Sequence, residues 1–109
     1  MKLPSKELLR AVLDDEGITR LKKANNTMIA YWDIYSAQHS LINICELQHK
    51  MKEWAYNNSS YYIESYINSG GSYAVVYKDY SEEPYFNCIA DTEFEAVIMA
   101  SEFILKEIA

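Results

Sequence analysis

The sequence has few of the residues that interrupt a folded domain. Only three glycines and two prolines occur in 109 residues, so no flexible linker between two domains is visible. No apolar run is long enough to span a membrane, and the N-terminal segment lacks the apolar stretch of a secretory signal. We therefore expect one domain over residues 1–109, without a membrane span, in the cytoplasm.

Cysteine is equally scarce. Cys45 and Cys88 are the only two, and they fall in a predicted helix and a predicted strand. A disulfide between them is compatible with the even count, but a reducing cytosol favours two buried thiols that pack as small apolar side chains. The fold therefore requires no disulfide and no metal, and we expect no cofactor.

The usual signatures of catalytic sites are absent. No GxSxG motif occurs, and the only glycine pair, Gly70-Gly71, joins two predicted strands rather than a strand and a helix. Cys45 and His49 share one face of a predicted helix, where they could bind a metal ion or act as nucleophile and base. A structural zinc site needs four ligands, and a catalytic thiol needs an oxyanion hole. We predict a protein that is not an enzyme and has no catalytic residues and no metal ligands.

Basic residues are nearly missing from the second half of the chain. Residues 1–57 carry eight Lys or Arg against seven Asp or Glu, whereas residues 58–109 carry two against nine. The net charge of −6 therefore comes from the second half, which should repel nucleic acids and anionic membranes and attract a basic partner. The alternative is that the acidic groups only keep a tyrosine-rich domain in solution.

Apolar residues, in contrast, make up 50% of the chain, which is enough for a continuous core. Their spacing predicts eight elements: a helix over 4–15, strands over 18–23 and 27–34, a helix capped by Asn43 and ending at 57–59, strands over 61–68, 73–80 and 85–90, and a helix capped by Asp91 or Thr92. Residues 35–40 are predicted to be a polar connection. The expected fold class is α+β, an antiparallel sheet with helices packed on it, in the order αββαβββα.

The two long helices have the clearest local patterns. One apolar face is predicted on the second helix: Ile44, Leu47, Met51, Trp54 and Ala55. Another is predicted on the last helix: Phe94, Val97, Ile98, Ser101, Ile104, Leu105 and Ile108. On the polar side of the second helix, Glu46 and Lys50 are expected to form an ion pair.

The tyrosines are the unusual feature of the composition. Ten occur, seven of them between Tyr56 and Tyr80. Strand alternation directs Tyr62 and Tyr66 to one side, and Tyr77 and Tyr80 follow in the next strand. If exposed, these rings form a surface for base stacking or protein binding; if buried, they pack under helices, as the strand preference of aromatic residues would explain.

Residues 43–109 have the element order of double-stranded-RNA-binding domains. Those domains hold phosphates with lysines at the start of the last helix, where this chain has Asp91, Glu93 and Glu95. Nucleic-acid binding by this part is therefore disfavoured. The basic cluster that remains lies in the first hairpin: Arg20, Lys22 and Lys23.

Three blocks carry a resemblance to known proteins. They are LPSKELL at 3–9 with Val12 and Leu13, ICELQHKMKEWA at 44–55, and ADTEFEA at 90–96. Together they resemble small proteins of bacteriophages, prophages and related bacterial elements, a group without an assigned function. The resemblance implies an origin, but no activity and no catalytic residue.

The sequence thus favours a non-enzymatic phage or mobile-element accessory protein that binds another protein through its acidic, tyrosine-rich half. The candidate contact residues are Tyr62, Tyr66, Tyr77, Tyr80, Glu82, Glu83, Glu93 and Glu95. A narrower form is an inhibitor of host defence that imitates nucleic-acid charge, which requires the carboxylates to form one patch. The alternative is a nucleic-acid-binding module that uses the basic cluster and exposed tyrosines. An aromatic patch or an unpaired edge strand leaves homodimer formation open.

Overall fold

Nine elements follow one another in the computed structural model, which describes residues 1–109. They are α1 (Lys6–Leu13), β1 (Ile18–Asn25), β2 (Met28–Asp33), β3 (Gln38–Asn43), α2 (Ile44–Ser59), β4 (Tyr61–Asn68), β5 (Gly71–Lys78), β6 (Pro84–Ala90) and α3 (Glu93–Ile108). The strands form two antiparallel meanders in the orders β1-β2-β3 and β4-β5-β6. The predicted fold class, α+β with antiparallel strands and packed helices, is confirmed.

The segment predicted as a polar connection, 35–40, contains the start of a strand. β3 pairs with β2 along its whole length, so the element order is αβββαβββα. Its first residues, Gln38, His39 and Ser40, are polar, and only Ile42 is buried. The strand was missed because it shows no apolar alternation and is held by its ladder to β2.

Each of the three helices begins at a capping side chain, and the caps of α2 and α3 are among those that the sequence predicted. The Ser5 hydroxyl accepts a hydrogen bond from the Leu8 amide (3.0 Å), and the Thr92 hydroxyl accepts one from the Glu95 amide (3.2 Å). The Asn43 side chain accepts bonds from the first amides of α2. Each cap satisfies amide groups that have no partner within the helix, which sets where the helix starts.

The ion pair predicted between Glu46 and Lys50 does not form. On α2, His49 Nε2 instead lies 3.3 Å from Glu53 Oε1, and both side chains are exposed. Water screens such a pair, so it contributes little to stability.

One cluster of buried apolar side chains draws on all three helices and both sheets. Its members are Leu8, Leu9, Ile18, Ile29, Ile42, Leu47, Met51, Trp54, Ala55, Ile63, Ala74, Val76, Phe94, Ala96, Val97, Ile98, Ala100 and Ile104. The predicted apolar faces of α2 and α3 are confirmed except at the last turn, where Ile108 is 44% exposed. The two sheets are therefore joined through a shared interior.

The β4-β5-β6 sheet is covered on one face only. α2 packs against β4, and α3 packs against all three strands. Ile63, Ala74 and Val76 point toward the helices, whereas Tyr62 and Tyr66 are exposed. The opposite face of this sheet is consequently open to solvent.

Ser101 is a buried polar residue whose hydroxyl has no hydrogen-bond partner. Ser101→Ala removes this unpaired group with little change in volume, so we expect the free energy of unfolding to rise by about 1 kcal/mol. Urea unfolding followed by circular dichroism measures the change. Ser59→Ala is the matched control, because the Ser59 hydroxyl donates to the Ala55 carbonyl (2.6 Å) and its loss should bring no gain. A Ser101→Ala variant less stable than wild type would show that the hydroxyl is satisfied.

Candidate functional site

The open face of the β4-β5-β6 sheet carries aromatic side chains in cross-strand rows. The strand register sets Tyr62 opposite Tyr77 and Tyr66 opposite Tyr73. Alternate residues of paired strands share a face, so these four rings lie on the side away from the helices. We call this surface the tyrosine face; its residues are Tyr62, Glu64, Tyr66, Tyr73, Val75, Tyr77, Asn87 and Ile89.

Neighbouring rings hold the tyrosines in place. Tyr66 and Tyr73 stack with their ring centroids 5.2 Å apart and their planes 12° from parallel. Tyr62 meets Tyr56, near the end of α2, edge to face at 5.5 Å. Between the rows, Val75 is only 8% exposed although no helix covers it. Because the rings support one another, the face exists before any partner binds.

The β5–β6 turn adds a shallow cavity of about 330 Å³ at one end of this face. Three tyrosines and three carboxylates line it, together with Lys78 and Ser81: Tyr62, Tyr77, Tyr80, Glu64, Asp79 and Glu82. We call it the turn pocket. The Lys78 ammonium is engaged elsewhere, 4.0 Å from the centroid of the Tyr85 ring, which itself packs on Phe103 of α3.

The four glutamates predicted as contact residues lie at two separate ends of β6. Glu82 and Glu83 precede Pro84–Ala90, whereas Glu93 and Glu95 follow it. A strand of seven residues spans about 20 Å. The carboxylates therefore do not form the single patch that imitation of nucleic-acid charge requires.

The second of these pairs has partners within the chain. Glu93 Oε1 accepts a hydrogen bond from Gln48 Nε2 (2.6 Å), and Glu95 Oε1 accepts one from the Thr92 hydroxyl (3.2 Å). Both also lie in the first turn of α3, where the helix dipole favours negative charge. Helix capping explains these two residues, and the structure groups Tyr62, Tyr77, Tyr80 and Glu82 without them.

The predicted basic cluster is also divided. Lys22 and Lys23 lie opposite Ala30 and Ile29, two consecutive residues of β2, so the lysines point to opposite faces of the first sheet. Arg20, Lys22 and Lys23 therefore do not form one surface.

A different group forms on the first sheet. The Arg20 guanidinium lies 5.8 Å from the centroid of the Trp32 ring, and Trp32 contacts His39 edge to face at 4.7 Å. His39 lies opposite Trp32 because β3 pairs with β2. Sequence reasoning missed this group for the same reason that it missed β3. The one signal was an aromatic residue, Trp32, in the β-rich run that follows the basic strand.

Neither cysteine belongs to a visible site. Cys45 is exposed, so the prediction of two buried thiols is wrong for this residue, and both cysteines are free. Partial burial raises the pKa of the Cys88 thiol, whose sulfur lies 3.4 Å from the Ala96 carbonyl oxygen. His49 pairs with Glu53. No three His, Cys, Asp or Glu side chains lie in an arrangement that could hold a metal ion.

Asp15 and Asp33 bring two carboxyl groups together where β2 ends beside the α1–β1 loop. The hydrogen bond between their side chains raises the pKa of Asp15 and lowers the pKa of Asp33. Asp15 Oδ1 also accepts from the Gly17 amide (2.9 Å), and Asp33 Oδ1 accepts from the Tyr35 amide (2.9 Å). These bonds close two turns, which gives the pair a structural explanation.

The raised pKa of Asp15 leads to a pH-dependent prediction. The protonated Asp15 carboxyl stabilises the fold at pH values below the pKa that Asp15 has in the unfolded chain. This contribution is lost as the pH rises through the higher pKa that Asp15 has in the folded protein. The Asp15→Asn amide can donate to Asp33 at every pH, so we expect the variant to gain stability over wild type at pH 7 and little at pH 3. Thermal unfolding at both values tests this. An equal difference at the two pH values would contradict the pairing.

Comparison of the chain with protein-family models, with curated proteins and with solved structures finds no match. None of the three helices combines the length and the hydrophobicity needed to cross a bilayer. The fold and surface define the class: a small α+β protein with two meander sheets on a shared core and one open aromatic face. The resemblance to phage and prophage proteins stays a prediction.

Proposed function

We propose that this protein is a non-enzymatic binding domain that holds a basic protein partner on its tyrosine face. The arrangement of the rings carries the proposal. Tyr62 and Tyr66 are each about half exposed, and each is fixed by a neighbouring ring. Rigid tyrosine side chains provide contact area at low entropic cost, and aromatic residues are enriched where proteins meet.

The charges beside the face favour a basic partner. Glu64 and Asp79 line the turn pocket with Glu82, and Glu83 follows directly. None of these four carboxylates forms an ion pair within the chain. Because unpaired carboxylates attract cations and repel phosphates, they favour a lysine- or arginine-rich protein surface over a nucleic acid or an anionic membrane.

The resemblance to phage and prophage proteins suggests where to search for this partner. An accessory protein of such an element acts inside a bacterial cell, so a host protein is the first candidate. Inhibition of a host defence protein remains one form of the proposal. In that case the tyrosine face would cover a basic surface of the defence protein, because the separated glutamates do not form a continuous acidic surface that could imitate a nucleic acid.

Site-specific crosslinking followed by affinity measurement tests the proposal. A photoreactive residue at position 66 should capture a host protein, whereas the same residue at position 35 should not; Tyr35 lies in the β2–β3 turn and is 74% exposed. With the captured protein purified, Tyr62→Ser plus Tyr66→Ser should weaken binding at least about tenfold. Tyr35→Ser is the matched control and should leave the affinity unchanged. Equal binding by the double variant and wild type would refute the proposal.

A second candidate function is nucleic-acid binding by the first sheet. The observation that favours it is the group Arg20, Trp32 and His39, in which a ring suitable for base stacking lies under a guanidinium. Fluorescence anisotropy with a labelled single-stranded RNA or DNA at low ionic strength tests it. Trp32→Ala should abolish a salt-sensitive signal. The absence of a signal with the wild-type protein would remove this candidate.

A further inference from the structure

We infer that the turn pocket binds the guanidinium group of an arginine side chain on the protein partner. The inference rests on the proposed function and specifies the chemistry of the contact. Its basis is that three tyrosines and three acidic residues are among the eight residues that line one cavity of about 330 Å³. Aromatic ring faces and carboxylates both attract cations, and here they line the same space.

The chain itself shows that its tyrosines accept a cation. The Lys78 ammonium lies 4.0 Å from the centroid of the Tyr85 ring, at the other side of β5 from the Tyr77 ring. This contact occupies the only basic side chain at the pocket. The carboxylates of Glu64, Asp79 and Glu82 form no ion pair with Lys78 or with another cation of this chain, so the pocket can receive a cation from outside.

Packing of the fold does not explain Tyr80. Its ring is fully exposed, and its backbone adopts a left-handed conformation with φ of 64°. Both features are uncommon for a bulky aromatic residue. A partner side chain laid between Tyr80 and Tyr77 would bury the ring and give this residue a role that the isolated chain does not provide.

The mixture of rings and carboxylates favours arginine over other cations. A guanidinium is planar, so it can stack on a tyrosine ring while its N–H groups donate to a carboxylate in the same plane. A lysine ammonium is strongly hydrated and would keep its water in so shallow a cavity. A trimethylated lysine has no N–H group and would leave the three carboxylates without donors.

Titration of the isotopically labelled protein with blocked single amino acids tests the inference by NMR. The probes are the N-acetyl methylamides of arginine, lysine, trimethyl-lysine and citrulline, of which citrulline keeps the shape of arginine without its charge. We expect the arginine probe to shift the amide signals of residues 62, 64 and 77–82 and to bind at least about threefold more tightly than the lysine probe. Equal shifts with arginine and lysine, or equal shifts at Glu93 and Glu95, would overturn the inference by showing attraction to acidic surface in general.

Two variants test whether the arginine probe binds to the pocket itself and not to the acidic residues around it. Tyr80→Ala removes a ring that packs on nothing, and Glu82→Gln removes one charge, so both variants should keep the wild-type fold. Each should weaken the arginine probe at least about threefold. Glu16→Gln, which changes an exposed glutamate in the loop between α1 and β1, is the matched control for charge and should have no effect. Unchanged binding by both pocket variants would overturn the inference.

The same variants distinguish this inference from the proposed function. Against the purified partner, Tyr66→Ser tests the face and Tyr80→Ala tests the pocket. If Tyr66→Ser weakens binding and Tyr80→Ala does not, the pocket inference fails and the proposed function stands. If neither substitution weakens binding, both fail. If both substitutions weaken binding, and replacing one arginine of the partner by lysine removes the effect of Tyr80→Ala, the inference is supported.

Discussion

Ile98→Ala should lower the free energy of unfolding by about 2–5 kcal/mol, because it leaves a cavity at the centre of the core. Ile98 is completely buried on α3, the helix that packs against α1, α2 and all three strands of the second sheet. A domain of this size is stable by about 5–15 kcal/mol, so a single change of this kind removes a large share of the total. Urea unfolding followed by circular dichroism measures the loss.

Ile108→Ala is the matched control for this prediction. It makes the same chemical change on the same helix, but Ile108 is 44% exposed. The control should cost less than about 1 kcal/mol because solvent fills the space left behind. If the two variants lose equal stability, α3 does not have the central position that the structure assigns to it.

Gly71→Ala should lower the free energy of unfolding by about 1–3 kcal/mol, because Gly71 has a φ of 136° that other residues rarely adopt. An added Cβ would also lie 3.0 Å from Ile89 Cδ1 on the neighbouring strand. The residue begins β5 opposite Asn68, so it helps to set the register that places Tyr66 opposite Tyr73. The substitution should therefore disturb the tyrosine face as well as stability, and the amide NMR spectrum reports both.

Gly70→Ala provides the comparison within the same turn. The nearest atom to its added Cβ is the Tyr73 hydroxyl at 2.8 Å, which is the end of a side chain that can move. Its backbone does not have the unusual φ of its neighbour. We expect a loss below about 1 kcal/mol. A larger loss at Gly70 than at Gly71 would contradict the backbone conformation that the structure gives to this hairpin.

Sequence patterns predicted the parts of the fold that local interactions control. Asn43 and Thr92 cap their helices because the side chain bonds to amides two or three residues away. The apolar faces of α2 and α3 follow from helical spacing, and the β4–β5 hairpin follows from its glycine pair. Each of these signals lies within a few residues of the structure that it predicts.

The errors occurred where the deciding partner is distant in sequence or where exposure matters. β3 has only two apolar residues, Leu41 and Ile42, which do not alternate with polar ones, so its strand character comes from pairing with β2. The acidic composition of the second half led to the prediction that Glu82 and Glu93 share one contact surface, although β6 separates them. Cys45 was expected to be buried, but it lies on the exposed side of α2. In each case the sequence gives the residue type but not which residues surround it in the folded structure.

The candidate site shows the same division. Alternation along β4 is a local property, and it is sufficient to place Tyr62 and Tyr66 on one face. Whether that face is covered depends on which side of the sheet α2 and α3 occupy, and this follows from the packing of the shared core. The turn pocket depends further on the register of β4 and β5, which brings Tyr62 beside Tyr77 near the β5–β6 turn. Local spacing therefore decides which side chains share a surface. Only long-range packing decides that this surface meets solvent, because burial depends on how the helices and sheets assemble and not on any one strand.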